Sequence, residues 1–326
     1  MSNHITMHPD CQAGSILIDR APDGREREWA AKKRRNEYLA NIYAGIDKKK
    51  ECRLRECGTV LVFEEWENGD RRLHSMNSCR VRLCPLCAWR RSLKTFANSM
   101  QCAKWVISNT PEVKWLMLTL TIKNCEGEKL AVTLSGMMEA WNRFIHYDIF
   151  SRSVLGWYRG LEITYNIDAN TYHPHFHVLL AVDPQYFSGN KYIKADTWRE
   201  KWMTAARLDY VPQVNVQRLR TRNGQEDIAH AVAETAKYSV KDTDYFIPYD
   251  YDKNVEVVQT LDTALAGRRL VAYGGTLKEA HRLLKLEDEE TGDLIHVGEE
   301  VPEHSEPGKL RMYFWHTGAS VYRSNE

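Results

Sequence analysis

Residues 157–182 read WYRGLEITYNIDANTYHPHFHVLLAV. Two runs rich in apolar, aromatic and β-branched residues, 157–166 and 173–182, flank a short polar loop, and that pattern predicts two antiparallel strands joined as a hairpin. In the second strand His175 and His177 are two residues apart. Both imidazoles therefore project from one face, about 7 Å apart at Cα, while Phe176 points the other way into a core. In the first strand Glu162 is a lone charge where an apolar residue is expected. Pairing Glu162 opposite His175 or His177 brings its carboxylate to the two imidazoles, whereas a slip of one residue turns it away. Two neutral imidazoles and a carboxylate suit a divalent metal, and the same set also suits iron in an oxygenase. His173, at the strand edge before Pro174, is a further candidate ligand.

Outward from this hairpin the periods alternate. WLMLTLTI (115–122) is a buried-strand run, 128–147 carries apolar side chains at helical spacing, 195–208 is an amphipathic helix, and VPQVNVQRL (211–219) is another strand. The order β-α-β-β-α-β predicts an α+β fold of the split βαβ kind, an antiparallel sheet with helices on one face. A helix over 226–241 follows. It would set Glu234, Tyr238 and Lys241 on one face at i, i+4 and i+7, with Lys237 one residue round. Ammonium groups beside a phenol favour its phenolate, the better nucleophile, and a carboxylate four residues away is spaced to act as a general base. In isolation such a pattern is the ordinary solvated face of a helix; the histidine pair gives it weight.

The chain has eight cysteines. Cys79, Cys84 and Cys87 are closely spaced, and Cys57 lies across a hairpin signalled by Asn68-Gly69. Four thiolates close a tetrahedral structural Zn²⁺ site. Cys57 is the favoured fourth ligand because Cys-Gly before a strand resembles a zinc-knuckle turn; His74 and Cys52 are the alternatives. Arg80, Arg82, Arg90, Arg91 and Lys94 crowd this module, and with Trp89 they suit phosphate contact and base stacking.

The net charge of +1 hides an asymmetry: residues 251–326 hold nine Lys/Arg against fourteen Asp/Glu, leaving 36 against 30 in the first 250. A basic working part suits a polyanionic partner. No apolar run approaches the roughly 18–20 residues that span a bilayer, and MSNHITMHPD has no secretory pattern, so the expected location is the cytoplasm, without membrane association. Four segments are expected. Residues 1–50 are a polar leader whose basic helix has no core of its own, and 51–105 are the Cys-rich zinc-binding module. Residues 106–250 form the catalytic domain, and 251–326 are a helical and acidic segment.

WLMLTLTIKN, EITYN with HPHFHVLL, and ETAKYSVK, in that order, resemble the motifs of the replication initiator (Rep) proteins of Gram-positive rolling-circle plasmids, in the HUH endonuclease class. SCRVRLCPLCAWRRSLK and LAGRRLVAYGGTLKEAH resemble the flanking segments of the same family, so the likeness runs from about residue 52 to 285. The resemblance implies an HUH, ferredoxin-like nuclease core in which His175, His177 and Glu162 hold Mg²⁺ or Mn²⁺. It makes Tyr238 the nucleophile that becomes covalently linked to the 5′ end of nicked origin DNA, and Glu234 the residue that promotes hydrolysis at termination. Lys237 or Lys241 would help neutralise the phosphate. It further implies a host helicase and a single-strand-binding protein as partners. A transposase of the same chemistry and a non-catalytic zinc-dependent DNA-binding regulator are the competing readings. A relaxase fits less well, because its tyrosine usually precedes the histidines.

Overall fold

In a computed structural model, residues 14–21, 23–219, 221–222, 225–236, 240–241, 245–298 and 304–325 are described. The chain opens with α1 (Trp29–Tyr43) and α2 (Lys48–Glu56), then a hairpin of β1 (Val60–Glu65) and β2 (Arg71–Met76), then the long helix α3 (Pro85–Asn109). The central block is β3 (Lys114–Thr121), α4 (Gly127–Phe144), α5 (Asp148–Ser153), β4 (Val154–Asn166), β5 (Thr171–Val182), α6 (Ala195–Ala205) and β6 (Val214–Arg218). A small ribbon, β7 (Thr221–Arg222) and β8 (Gln225–Glu226), leads into α7 (Ile228–Thr235). The remainder is α8 (Tyr251–Leu265), β9 (Val271–Gly274), α9 (Gly275–Leu283), β10 (Lys309–His316) and β11 (Val321–Ser324).

The central sheet has the order β6-β3-β5-β4-β9, and its neighbours are antiparallel. The first, third and fourth of the block's strands thus lie side by side with the second beyond, as the split βαβ order requires. Alternation along β5 explains the layering. Phe176 is buried against Trp141 of α4 and Trp202 of α6, so those two helices cover the Phe176 face. Truncating such a side chain to alanine costs about 3–5 kcal/mol. The opposite face is not bare, which corrects the expectation of helices on one face only. Leu179 and Ala181, on the histidine side of β5, pack with Cys102 and Val106 of α3, Val232 of α7 and Leu277 of α9. The histidines lie at the end of β5 that these helices leave partly open.

The N-terminal part differs from its expected character as a leader. Trp29, Leu39, Ala40, Ile42 and Tyr43 of α1 are buried in the same core as the central sheet. Lys33 is buried as well, its Nζ donating to the carbonyls of Arg55 (3.0 Å) and Cys57 (2.8 Å). Two lysines and two arginines in a row read as solvent-facing, which masked the apolar side of the helix. The far end of the chain also returns: β10 pairs antiparallel with β1, from Val60 opposite Phe314 to Glu65 opposite Lys309, giving a second sheet β11-β10-β1-β2. The expected boundaries at 50 and 250 therefore cut through shared layers. No helix among the described residues is long and apolar enough to cross a membrane.

Candidate active site and metal centres

The register of β4 on β5 places Glu162 directly opposite His175, and Gly160 opposite His177. The three site residues consequently share one face, as the alternation required. His175 Nε2 and His177 Nε2 are 3.1 Å apart. Glu162 Oε2 lies 2.9 Å from His177 Nε2 and 3.4 Å from His175 Nε2. Ligands of an octahedral ion at about 2.1 Å are separated by about 3.0 Å when adjacent, so these atoms fit one metal ion. The far ring nitrogens are held too. His175 Nδ1 is 3.2 Å from the His173 carbonyl and His177 Nδ1 is 3.5 Å from Thr119 Oγ1. A proton on Nδ1 of His175, donated to that carbonyl, leaves the Nε2 lone pair for the metal.

Burial alone would push the Glu162 carboxyl up, but hydrogen bonds from His175 and His177 outweigh it and hold the acid well below the usual carboxylate range. Its other oxygen, Oε1, is 3.6 Å from Lys241 Nζ. His173 stacks at a tilt on His175, 5.3 Å between ring centres, and stands outside the ligand group. Burial, and then the neighbouring His175, lower its pKa.

The helix before Lys241 is shorter than its sequence pattern. α7 ends at Thr235, and Val240 and Lys241 are not helical. Glu234 is on its last turn, Lys237 and Tyr238 lie outside the described residues, and Lys241 reaches Glu162 from beyond the helix. The expected helix over 226–241 thus ends at Thr235, with Lys241 outside it. The helix end has a tertiary partner: the Tyr158 hydroxyl of β4 donates to the Thr235 carbonyl at 3.1 Å, the kind of external contact that satisfies a helix end.

The second centre is the thiol cluster. Cys57 Sγ is 3.6 Å from both Cys84 Sγ and Cys87 Sγ, and Cys79 Sγ is 3.7 Å from Cys87 Sγ. Tetrahedral Zn–S bonds of about 2.3 Å separate sulfurs by about 3.8 Å, so the four fit a zinc ion. Cys52 and His74 are exposed and outside the group. Gly58 has φ +64, the left-handed turn expected after Cys57, and a Cβ there would meet Leu86 at 2.6 Å. The backbone N–H groups of Cys79, Arg80 and Val81 each lie 3.4 Å from a cysteine sulfur of the group. The Cys87 thiol is held well below its ordinary value by hydrogen bonds from Cys57, Cys79 and Cys84. Asn36 of α1 accepts from Cys84 Sγ at 3.1 Å, a contact with no signal in the sequence. Thr119 had one, since Thr119 and Thr121 alternate within an otherwise apolar strand.

The basic residues around the thiols face inward to a degree that their sequence conceals. Arg90 is fully buried and donates to the Leu294 and Ile295 carbonyls at 2.9 and 2.7 Å. Lys94 is buried on Glu287 and the Asp293 carbonyl. Burial of both side chains turns them away from the expected phosphate contact. Arg82 pairs with Glu290, Arg80 donates to the Thr291 carbonyl at 2.7 Å, and Arg91 binds the carbonyls of residues 80–82. Trp89 packs edge-on against Trp29, 4.7 Å between ring centres.

Residues 70–323 match the protein family described as "Replication protein" (Rep). "Protein rep" of Bacillus amyloliquefaciens is 40% identical over 94% of this chain and 97% of its own length. "Protein rep" of Lactiplantibacillus plantarum is 38% identical over 87% and 90%, and that of Streptococcus pneumoniae 33% identical over 94% and 95%. No solved structure matches the chain. With its two ligand groups inside so extensive a likeness, this chain belongs to the Rep family of replication proteins.

Proposed function

We propose that this protein initiates rolling-circle replication of a plasmid by nicking one strand of its origin and holding the 5′ end on Tyr238. The observation that carries the reading is the convergence of Glu162, His175 and His177 on one point, in a Rep-family chain whose ETAKYSVK segment follows. Glu162, His175 and His177 would hold Mg²⁺ or Mn²⁺, which when bound would supply polarisation of a phosphodiester and offset the charge of its oxygens. The phenol of Tyr238 gives its proton to solvent and its oxygen forms a bond to phosphorus, the bond to the 3′ oxygen breaks, and that oxygen takes a proton from solvent and leaves as a 3′-hydroxyl. Lys241, beside Glu162, stabilises the phosphate oxygens, with Lys237 as a second cation. Glu234 takes the proton from water or from a returning 3′-hydroxyl as that oxygen bonds to phosphorus; the bond to the Tyr238 oxygen breaks, and the phenolate is reprotonated from solvent. The zinc module contributes to origin binding through its remaining accessible donors. A host helicase and a single-strand-binding protein would then extend the opened strand.

The test is a denaturing gel of protein with labelled single-stranded origin oligonucleotide and Mn²⁺. An SDS-resistant protein–DNA band, absent with EDTA and with Tyr238→Phe, is the expected result. Duplex origin binding without any covalent band on either strand would replace the reading with a zinc-dependent DNA-binding regulator.

A further inference from the structure

Tyr158, Gly160 and Glu162 occupy alternate positions of β4 and so share the metal-bearing face. Gly160 lies opposite His177 across the strand pair. A Cβ built on Gly160 would stand 2.5 Å from the carbonyl oxygen of Thr235, the last residue of α7. The obstacle is backbone, so it cannot swing aside as a side-chain tip would. Only glycine lets the helix end come down this close beside a ligand histidine. The same carbonyl oxygen accepts from the Tyr158 hydroxyl at 3.1 Å.

Tyr158 is itself fixed. It is fully buried and its ring lies 5.0 Å from that of Tyr273. The Tyr273 hydroxyl donates to Glu289 at 2.9 Å and lies 3.0 Å from Ser99 Oγ of α3. Thr235 is thus seated by two adjacent face positions of β4, one that admits its backbone and one that bonds to it. Thr235 directly follows Glu234 and precedes Tyr238 by three residues.

We infer that Gly160 and Tyr158 are positioning residues that set the reach from the end of α7, and the residues it delivers, to the metal face. The inference rests on the nicking function proposed above. Misplacing a reacting group by about 1 Å costs on the order of 100-fold in rate. Neither residue touches the metal or the DNA in this scheme, so their effect belongs in the chemical step.

The experiment compares full-length wild type, Gly160→Ala and Tyr158→Phe with Mn²⁺ and a single-stranded origin oligonucleotide under single-turnover conditions. Read out are the rate of covalent adduct formation at saturating DNA, the DNA concentration for half-maximal rate, the Mn²⁺ midpoint and the adduct amplitude. Gly160→Ala is expected to slow the saturated rate about 100-fold. Tyr158→Phe, which keeps the ring and loses one hydrogen bond, should slow it about five- to tenfold. DNA and Mn²⁺ midpoints should stay within about twofold of wild type for both, the signature of misplacement and not of a damaged binding site. Wild-type rates per active molecule in the two variants overturn the inference and leave the nicking function standing. Rates that fall only in step with weakened DNA or Mn²⁺ binding also overturn it, because the role is then structural. If Gly160→Ala does not fold, Tyr158→Phe decides alone. Absence of an adduct with wild type refutes the nicking function itself, and the inference with it.

Discussion

Glu162 presents its two carboxylate oxygens to different partners: Oε2 faces the Nε2 atoms of His175 and His177, and Oε1 stands 3.6 Å from Lys241 Nζ. One carboxylate thereby joins the ligand group to a cation that arrives from beyond α7. The ammonium favours the ionised ligand but repels a divalent ion, since like charges a few ångströms apart interact appreciably even near a surface.

Opposite effects on binding and on rate follow for Lys241→Met. Mn²⁺ affinity should rise about two- to tenfold, because a competing cation is gone. The rate of adduct formation should fall at least about tenfold, because phosphate charge is less well met. Calorimetric Mn²⁺ titration and single-turnover gels measure the two separately. Weaker Mn²⁺ binding would instead make Lys241 a support for Glu162 alone.

Metal preference follows from the donors. Two imidazoles and one carboxylate form a softer set than the oxygen ligands Mg²⁺ prefers. Adduct formation should reach half its maximum at a lower Mn²⁺ than Mg²⁺ concentration. His177→Ala should abolish the response to either ion while leaving the thiol-bound zinc in place, as elemental analysis would show.

The thiol cluster should hold one zinc per chain. Cys57→Ser, Cys84→Ser or Cys87→Ser should lose that zinc and most of the cooperative thermal transition, since a structural site contributes folding free energy directly. Cys52→Ser should keep both, with a change within about 0.5 kcal/mol, because Cys52 is exposed and outside the group. Calorimetry with zinc analysis distinguishes the two classes.

The Glu289 carboxylate provides an acid-dependent brace. Burial pushes its pKa up, but hydrogen bonds from His281, Asn98 and Tyr273 outweigh this and leave it below the ordinary carboxylate value. A folded-state pKa below the unfolded one means stability that is fully present above the unfolded value and lost as pH falls through the folded one. The wild type should therefore lose stability below about pH 4.5. Glu289→Gln should be less stable at pH 7 and lose less over the same acid range. Urea titrations at several pH values give both slopes.

What sequence alone revealed was the local chemistry and the period of each element. His175 and His177 on one face, Glu162 on that same face, and the trio Cys79, Cys84 and Cys87 follow from alternation or close spacing. The register of Glu162 on His175 and the choice of Cys57 over Cys52 and His74 are settled by the fold. What it could not reveal depends on residues far apart in the chain. The end of α7 at Thr235 is seated on Tyr158 and Gly160, more than seventy positions earlier. Arg90 and Lys94 read as DNA-facing charge because the acidic segment that takes their donors lies about two hundred residues on. Lys33 hid the buried side of α1, since its carbonyl partners sit on another turn of chain.

The pairing of β10 with β1 sets a schedule for synthesis. Lys309 leaves the ribosome 244 residues after its partner Glu65, which at roughly 5–20 residues per second is about 12–50 s. Throughout that interval one edge of the β1–β2 hairpin has no strand beside it. An unpaired edge is a template for aggregation, so the nascent chain is most vulnerable while the sheet beside its thiol cluster is half built. Only translation through residue 324 closes that sheet.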